Sequence, residues 1–242
     1  MLHIYQNPSA ITAALAEWIT YTIETVLQTQ DRFTWVLTGG NSPKALYDML
    51  AESPYKERIA WNKLHIFWGD ERAVPFSDDR NNAKMTFDHL LNKVPVNPEQ
   101  VHVMRTDIEP EQSALEYQKM LHTYFATERN SFDLVLSGMG DDGHTLSLFP
   151  GTEVIHETKD WVKAFYLTAQ QMYRITLTAP VVNRASSVVF LTFGANKAKA
   201  LYEVLEGEPN ADIYPSQIIQ PASGKLHWFV DEPAAALLDK KA

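Results

Sequence analysis

Residues 132–151 read FDLVLSGMGDDGHTLSLFPG. The first five are a short apolar run with the composition of a buried strand. The run then empties into Gly138, Gly140 and Gly143, the adjacent acids Asp141 and Asp142, and His144. Open α/β sheets bind their ligands at the carboxyl ends of their strands, so a strand that ends in glycines and titratable groups predicts that architecture. Similar apolar runs occur at 33–37 (FTWVL), 64–68 (LHIFW), 161–166 (WVKAFY), 187–193 (SVVFLTF) and 226–230 (LHWFV). Most are separated by helical stretches such as KALYDML, EQSALEYQKMLHTYF and ANKAKALYEVL. Strands alternating with helices imply a mainly parallel sheet covered on both faces. The fold expected is therefore α/β: a three-layer α/β/α, doubly wound, Rossmann-like domain. With no Pro/Gly-rich boundary, the six runs are assigned to one domain spanning 1–242. Before them, Ser9 is placed as the cap of a helix running to about Gln28, with Ile11, Leu15, Ile19, Val26 and Leu27 on one face.

Composition narrows the function. Of the 242 residues, 45% are hydrophobic and 21% charged, a globular balance. Cysteine is absent, which excludes disulfides and thiolate chemistry. A net charge of −9 argues against a nucleic-acid partner, because phosphate backbones need a basic surface. A small anionic ligand needs only two or three local cations and remains open. The N-terminal stretch has no basic n-region, and no stretch is long and apolar enough to span a bilayer. A cytoplasmic protein with no membrane partner is the expectation.

The motif-bearing segments share one position, just after a strand, so a parallel sheet would bring four of them to one edge. Thr38-Gly39-Gly40-Asn41-Ser42-Pro43 joins a strand to a helix. Glycines there let backbone N–H groups approach an oxyanion, Ser42 can cap, and Pro43 suits the first helical turn. A tight turn with no ligand explains the same residues, and the segment is neither a Walker loop nor a full dinucleotide fingerprint. Gly69-Asp70-Glu71-Arg72 offers either a structural ion pair or a guanidinium fork for phosphate. Asn81 and Asn82, in the loop beyond, suit a helix cap or contacts to ligand hydroxyls. His144 is the candidate base: one neighbouring carboxylate can orient the imidazole while the free nitrogen takes a proton from water. A metal site or a helix-cap histidine is the alternative. The other seven histidines lack such surroundings and are read as structural. Arg174 in YRITLT and Lys197 in GANKA are further cations, either snorkelling from their elements or contacting phosphate.

Together, TGGNSPKALY, FWGDERAVP with the later RNNAKM, GMGDDGHTLSLFPGT, RITLTAPVVNRA and FGANKAKAL resemble the 6-phosphogluconolactonase family, in the family's order and from about residue 38 onward. DGHT followed by SLFPG is the most diagnostic part. The resemblance implies a fold similar to those of glucosamine-6-phosphate deaminase and ribose-5-phosphate isomerase. It also implies hydrolysis of 6-phospho-D-glucono-1,5-lactone without metal or cofactor, by a monomer or homodimer. His144 would be the general base, with Asp142 orienting it and Asp141 the second choice. Substrate and phosphate contacts would fall to Gly39, Gly40, Asn41, Ser42, Asp70, Arg72, Arg174 and Lys197. Backbone N–H groups near Gly39, Gly40 or Gly143 would hold the oxyanion. Two positions depart from the family pattern: Asn41 stands where serine is usual, and Leu146 where a small residue is usual. Deaminases continue the histidine turn into an Asn-Glu-Pro element whose acid works with the histidine. Here Ser147-Leu148-Phe149-Pro150 has no such acid, which favours ester hydrolysis. The competing readings are a deaminase or isomerase, and a sugar-phosphate-binding regulator without turnover.

Overall fold

A computed structural model describes residues 1–126 and 130–239. Among the described residues, ten strands form two sheets. The larger contains β1 (Leu2–Tyr5), β2 (Phe33–Leu37), β3 (Leu64–Trp68), β5 (Val101–His102), β6 (Leu134–Gly138), β9 (Val188–Thr192) and β10 (Leu226–Asp231). Its order is β1-β10-β9-β6-β2-β3-β5, and every adjacent pair is parallel. The smaller sheet is antiparallel, ordered β4 (Asp70–Arg72), β8 (Met172–Leu177), β7 (Val162–Leu167). The helices are α1 (Pro8–Val26), α2 (Lys44–Leu50), α3 (Tyr55–Arg58), α4 (Asn82–His89), α5 (Pro110–Tyr124), α6 (Ala179–Val182) and α7 (Ala198–Leu205).

The parallel sheet is covered on both faces, and β2 shows why its sequence reads as mostly apolar residues. Phe33, Trp35 and Leu37 enter one core with Ile11, Leu15 and Ile19 of α1. Val36 enters the opposite core with Phe67, Val135, Phe190 and Leu121. Successive side chains point to opposite faces, so a strand buried on both sides needs mostly apolar residues. Ile11, Leu15, Ile19 and Ile23 of α1 are fully buried at a spacing of four. Each contributes about 1.5–3 kcal/mol of burial free energy.

Two expectations need correction. The cap of α1 is Asn7, not Ser9: the Ala10 N–H donates to Asn7 Oδ1 (3.0 Å) and Pro8 takes the first turn, where its missing N–H costs nothing. The run at 161–166 belongs to the small antiparallel sheet, returning to β8 through a turn with Gln171 in the left-handed region (φ 51°). Six runs in one sheet was therefore too simple.

Chain order from β2 proceeds to β3 and β5 on one side, and from β6 to β9 and β10 on the other. The order thus reverses between β2 and β6, where a doubly wound sheet opens its ligand crevice. The loops after β9, β6, β2 and β3, four contiguous strands, meet there.

Candidate active site

A cleft of about 220 Å³ lies over this reversal. Its lining includes Gly39, Gly40, Asn41, Ser42, Asp70, Arg72, His144, Arg174 and Lys197, and Asp142 stands behind His144. His144 is the only one of the eight histidines that lines it.

The loop after β2 is anchored by buried Tyr47, whose hydroxyl donates to Thr38 O (2.8 Å) and accepts from Thr38 N–H (3.0 Å). Gly40 is left-handed (φ 83°). Gly39 has no room for a side chain, since a Cβ would lie 1.8 Å from Asn82 Oδ1. The N–H groups of residues 39–42 have no acceptor among the described residues, so they are free to bind an anion. Ser42 does not cap α2: Pro43 occupies the N-cap, no side chain bonds the helix end, and the helix starts at Lys44.

After β3, Gly69 leads into β4. Alternation there points Asp70 and Arg72 one way and Glu71 the other. Arg72 lies directly opposite Arg174 of β8 in the antiparallel register. Asp70 and Arg174 are 6% and 2% exposed and form an ion pair, Nη2 to Oδ2 at 2.5 Å. Ser147 sits between them, donating from Oγ to Asp70 Oδ2 (2.6 Å) and accepting from Arg174 Nε (2.8 Å). Arg174 Nη1 donates to Gln170 Oε1 (3.1 Å). Burial pushes the Asp70 carboxyl up, but the Arg174 and Arg72 charges and the Ser147 bond more than offset this, so it stays below the ordinary carboxylate range. Asp70, expected among the substrate contacts, is thus committed to holding Arg174.

Arg72 Nη1 donates to Asn82 Oδ1 (2.8 Å) and Arg80 O (2.9 Å), which fixes the guanidinium at the cleft wall. Of the two asparagines, one caps a helix and the other is engaged by protein groups. Asn81 caps α4 by accepting from Lys84 N–H (2.8 Å), while Asn82 reaches Asp70 and Arg72. Glu71 is buried and accepts N–H bonds from Arg72 (2.8 Å), Asn82 (2.7 Å) and Ala83 (2.8 Å), tying β4 to α4. Burial pushes its carboxyl up to about 7, against the pull of those three donors.

The loop after β6 presents the candidate base, His144. Asp142 Oδ1 lies 2.5 Å from His144 Nδ1 and also accepts from the His144 N–H (3.1 Å). Asp142, not Asp141, is therefore the carboxylate that bonds the imidazole. Nε2 has no partner among the described residues, and in the neutral tautomer whose Nδ1–H donates to Asp142 it would carry the lone pair. Burial pushes Asp142 up, but the bonds and charge of His144 outweigh it and leave the carboxyl below its ordinary value. Gly140 makes this approach feasible, since a Cβ there would lie 2.1 Å from His144 Nδ1. Gly143 is left-handed (φ 78°), and its carbonyl accepts from both the N–H (2.9 Å) and Oγ (2.8 Å) of Ser216. Its own N–H donates to Gly140 O (3.2 Å), which removes it as an oxyanion donor. The candidates that remain are Gly39 and Gly40.

Lys197, half-buried at the end of a one-turn 3₁₀ helix after β9, lines the same cleft as Arg72 and Arg174. No group of three or more His, Asp or Glu among the described residues is arranged to hold a metal ion.

Sequence reasoning passed over Ser147, Ser216 and Phe149 as functional positions. Ser147 and Phe149 lie inside the diagnostic motif, where they counted as part of the resemblance and as the absence of an acid, with no role of their own.

A cleft at a sheet's reversal point, with a carboxylate-held histidine facing cationic side chains and unpaired amides, defines an α/β enzyme of small phosphorylated substrates. Residues 6–228 match the family described as glucosamine-6-phosphate isomerases/6-phosphogluconolactonase, and the chain belongs to that family. It is 38% identical over 243 residues to a 6-phosphogluconolactonase of Nostoc sp., covering 98% of each chain. A 6-phosphogluconolactonase of Synechocystis sp. is 39% identical over 220 residues, covering 89% of each. The crystal structure of 6-phosphogluconolactonase from Thermotoga maritima superposes with a TM-score of 0.83 at 27% identity, covering 96% of this chain and 99% of that one.

Proposed function

We propose that His144, held by Asp142, activates the water that opens a phosphorylated sugar lactone in this cleft. The reaction is hydrolysis of 6-phospho-D-glucono-1,5-lactone to 6-phospho-D-gluconate, the second step of the oxidative pentose phosphate pathway. Nε2 takes a proton from water as the oxygen attacks C1, and the carbonyl electron pair moves onto its oxygen. The N–H groups of Gly39 and Gly40 face that developing charge. The tetrahedral intermediate collapses, the C1–ring-oxygen bond breaks, and the imidazolium returns its proton to the departing oxygen. Asp142 stabilises the transient imidazolium. Arg72 and Lys197 hold the 6-phosphate, with Arg174 as a third cation behind them. Asn41 and Ser42 contact the phosphate or a hydroxyl. A lactone is an activated ester, so positioning plus one base, worth roughly 10²–10⁴-fold, is sufficient. The whole chain acts as one domain, and a cytoplasmic setting belongs to the same reading.

One observation carries this reading: Nδ1 is engaged by Asp142 while Nε2 is left open at the cleft. Phe149, the residue before Pro150 where the acid of a deaminase Asn-Glu-Pro element would fall, carries no carboxylate, and Ser147 is consumed by Asp70 and Arg174. The test is a coupled assay with freshly generated lactone, read above the spontaneous rate. His144→Ala is expected to lower kcat by at least about 10²-fold while the fold survives. Near-wild-type turnover, or ammonia release from glucosamine 6-phosphate, would overturn the assignment.

A further inference from the structure

The Asp142 bond does not by itself fix the direction in which Nε2 points. A single hydrogen bond at Nδ1 leaves the imidazole free to rock about the Nδ1···Oδ1 axis, and rocking sweeps Nε2 across the cleft. A second constraint is present. The ring of Phe149 lies against His144 with centroids 4.1 Å apart and planes 25° from parallel. Phe149 is only 8% exposed, whereas the His144 side chain is 27% exposed, so the phenyl ring is the fixed partner and the imidazole the supported one.

The backbone explains how a residue five positions downstream comes to lie there. Leu146 is left-handed (φ 54°) and packs its side chain against Gly69, which lacks the Cβ that would collide with it. Thr145 and Leu148 then pair as an isolated antiparallel bridge, folding the segment back on itself. The Phe149 carbonyl is held by Thr152, which donates to it from N–H (3.2 Å) and Oγ1 (2.6 Å). The carbon of the Arg174 guanidinium lies 5.6 Å from the same ring's centroid, so the phenyl touches both the base and the cation network.

We propose that Phe149 is a positioning residue for the reaction: its ring sets the plane of the His144 imidazole and thereby aims Nε2 at the attacking water. This rests on the reading of His144 as the base. Phe149 makes no proton transfer, and its effect passes wholly through His144. Aromatic stacking of this kind contributes beyond simple area burial and is directional, whereas an aliphatic side chain of equal volume would fill the space without fixing a plane.

The test compares Phe149→Met, which nearly conserves volume, with Phe149→Tyr, which keeps the ring. Phe149→Met is expected to lower kcat roughly tenfold with KM unchanged, because misaiming a reacting group acts on the chemical step. Phe149→Tyr is expected to restore most of kcat. A spectroscopic readout on the unmutated protein stands apart from activity: the His144 carbon-bound ring protons, assigned by their loss in His144→Ala, should resonate upfield of free imidazole because of the phenyl ring current. Wild-type kcat in folded Phe149→Met overturns the proposal. So do equal losses in the Met and Tyr variants, or a rise in KM alone, which would assign Phe149 to Arg174 and substrate binding. If Phe149→Met does not fold, ring protons at free-imidazole positions in the wild type overturn it. Failure of the base reading is separate, since it would show as full activity in His144→Ala whatever Phe149 does.

Discussion

Replacing Gly140 with alanine isolates the geometry of the base from the stability of the fold. A Cβ on Gly140 would lie 2.1 Å from His144 Nδ1, 2.3 Å from Asp142 Oδ1 and 2.4 Å from His144 Cε1. Ordinary contact begins near 3.4 Å, so the imidazole and the carboxylate must each retreat by about 1 Å. Both can do so into solvent, with side chains 27% and 44% exposed. Gly140 is not among the glycines with positive φ, so alanine meets no backbone strain there. Removing a glycine also narrows the unfolded ensemble, a gain of about 0.4–1 kcal/mol that balances part of the lost hydrogen bond. The substitution should therefore leave Tm within a few degrees of wild type while displacing the base by about 1 Å. A misplacement of that size costs about 10²-fold in rate, or about 2.7 kcal/mol of barrier. The assay follows 6-phosphogluconate formation through an NADP-dependent dehydrogenase, with the spontaneous rate subtracted, alongside a thermal melt. A Gly140→Ala enzyme with kcat within threefold of wild type would refute the claim that the 2.5 Å contact between Asp142 and His144 matters to the reaction.

Further outcomes follow from other parts of the site. Ser147→Ala removes the hydroxyl shared by buried Asp70 and Arg174 and should destabilise by about 1–3 kcal/mol in urea titration; no change would mean that the ion pair closes without it. Lys197→Ala should raise KM for the phosphorylated lactone by about tenfold or more and leave the unphosphorylated lactone unaffected; an equal effect on both would remove Lys197 from phosphate binding. Glu157 accepts the N–H groups of Lys159, Asp160 and Thr158 and pairs with Lys163, and these contacts, Lys159's foremost, hold its carboxyl down at about 2. A depressed carboxylate stabilises the fold above its unfolded value of about 4.5, and that stability is lost as pH falls from there towards 2. The urea midpoint should therefore drop between pH 5 and pH 3, as an order-of-magnitude window. The drop should be smaller in Glu157→Gln, and equal drops would show that other groups dominate.

The strands β2, β3, β6, β9 and β10 were legible because both their faces are buried and their sequences are therefore dominated by apolar residues. Strands β1, β4 and β5 were not, at four, three and two residues, because so short a piece carries no period. The run at 161–166 was misplaced for another reason: an apolar run announces a strand but not which sheet it joins. In the site, the loops after β2, β3, β6 and β9 were identified from their glycines and charges. Ser147 was not, because its role exists only through Asp70 and Arg174, which lie 77 and 27 residues away in the chain. Gly140 reads as flexibility in a loop, but its φ is unremarkable, and the residue is glycine to make room for a ring four positions on.

Arg72 and Arg174 face each other across an antiparallel pair, where like charges oppose folding. Arg174 is further disfavoured as a cation, first by burial and then by Arg72, with Asp70 opposing both. Asp70 stands against two guanidiniums while burial pushes the neighbouring Glu71 carboxyl up to about 7, so this end of the small sheet has a surplus of positive charge that a dianion would discharge. On the proposed reading, phosphorylated ligands would act as fasteners between β4 and β8 as well as occupants of the cleft. Because they bind only the folded chain, a concentration of 100 Kd adds about 2.7 kcal/mol to its stability. On that reading, the melting temperature of this protein would rise with the concentration of sugar phosphate around it.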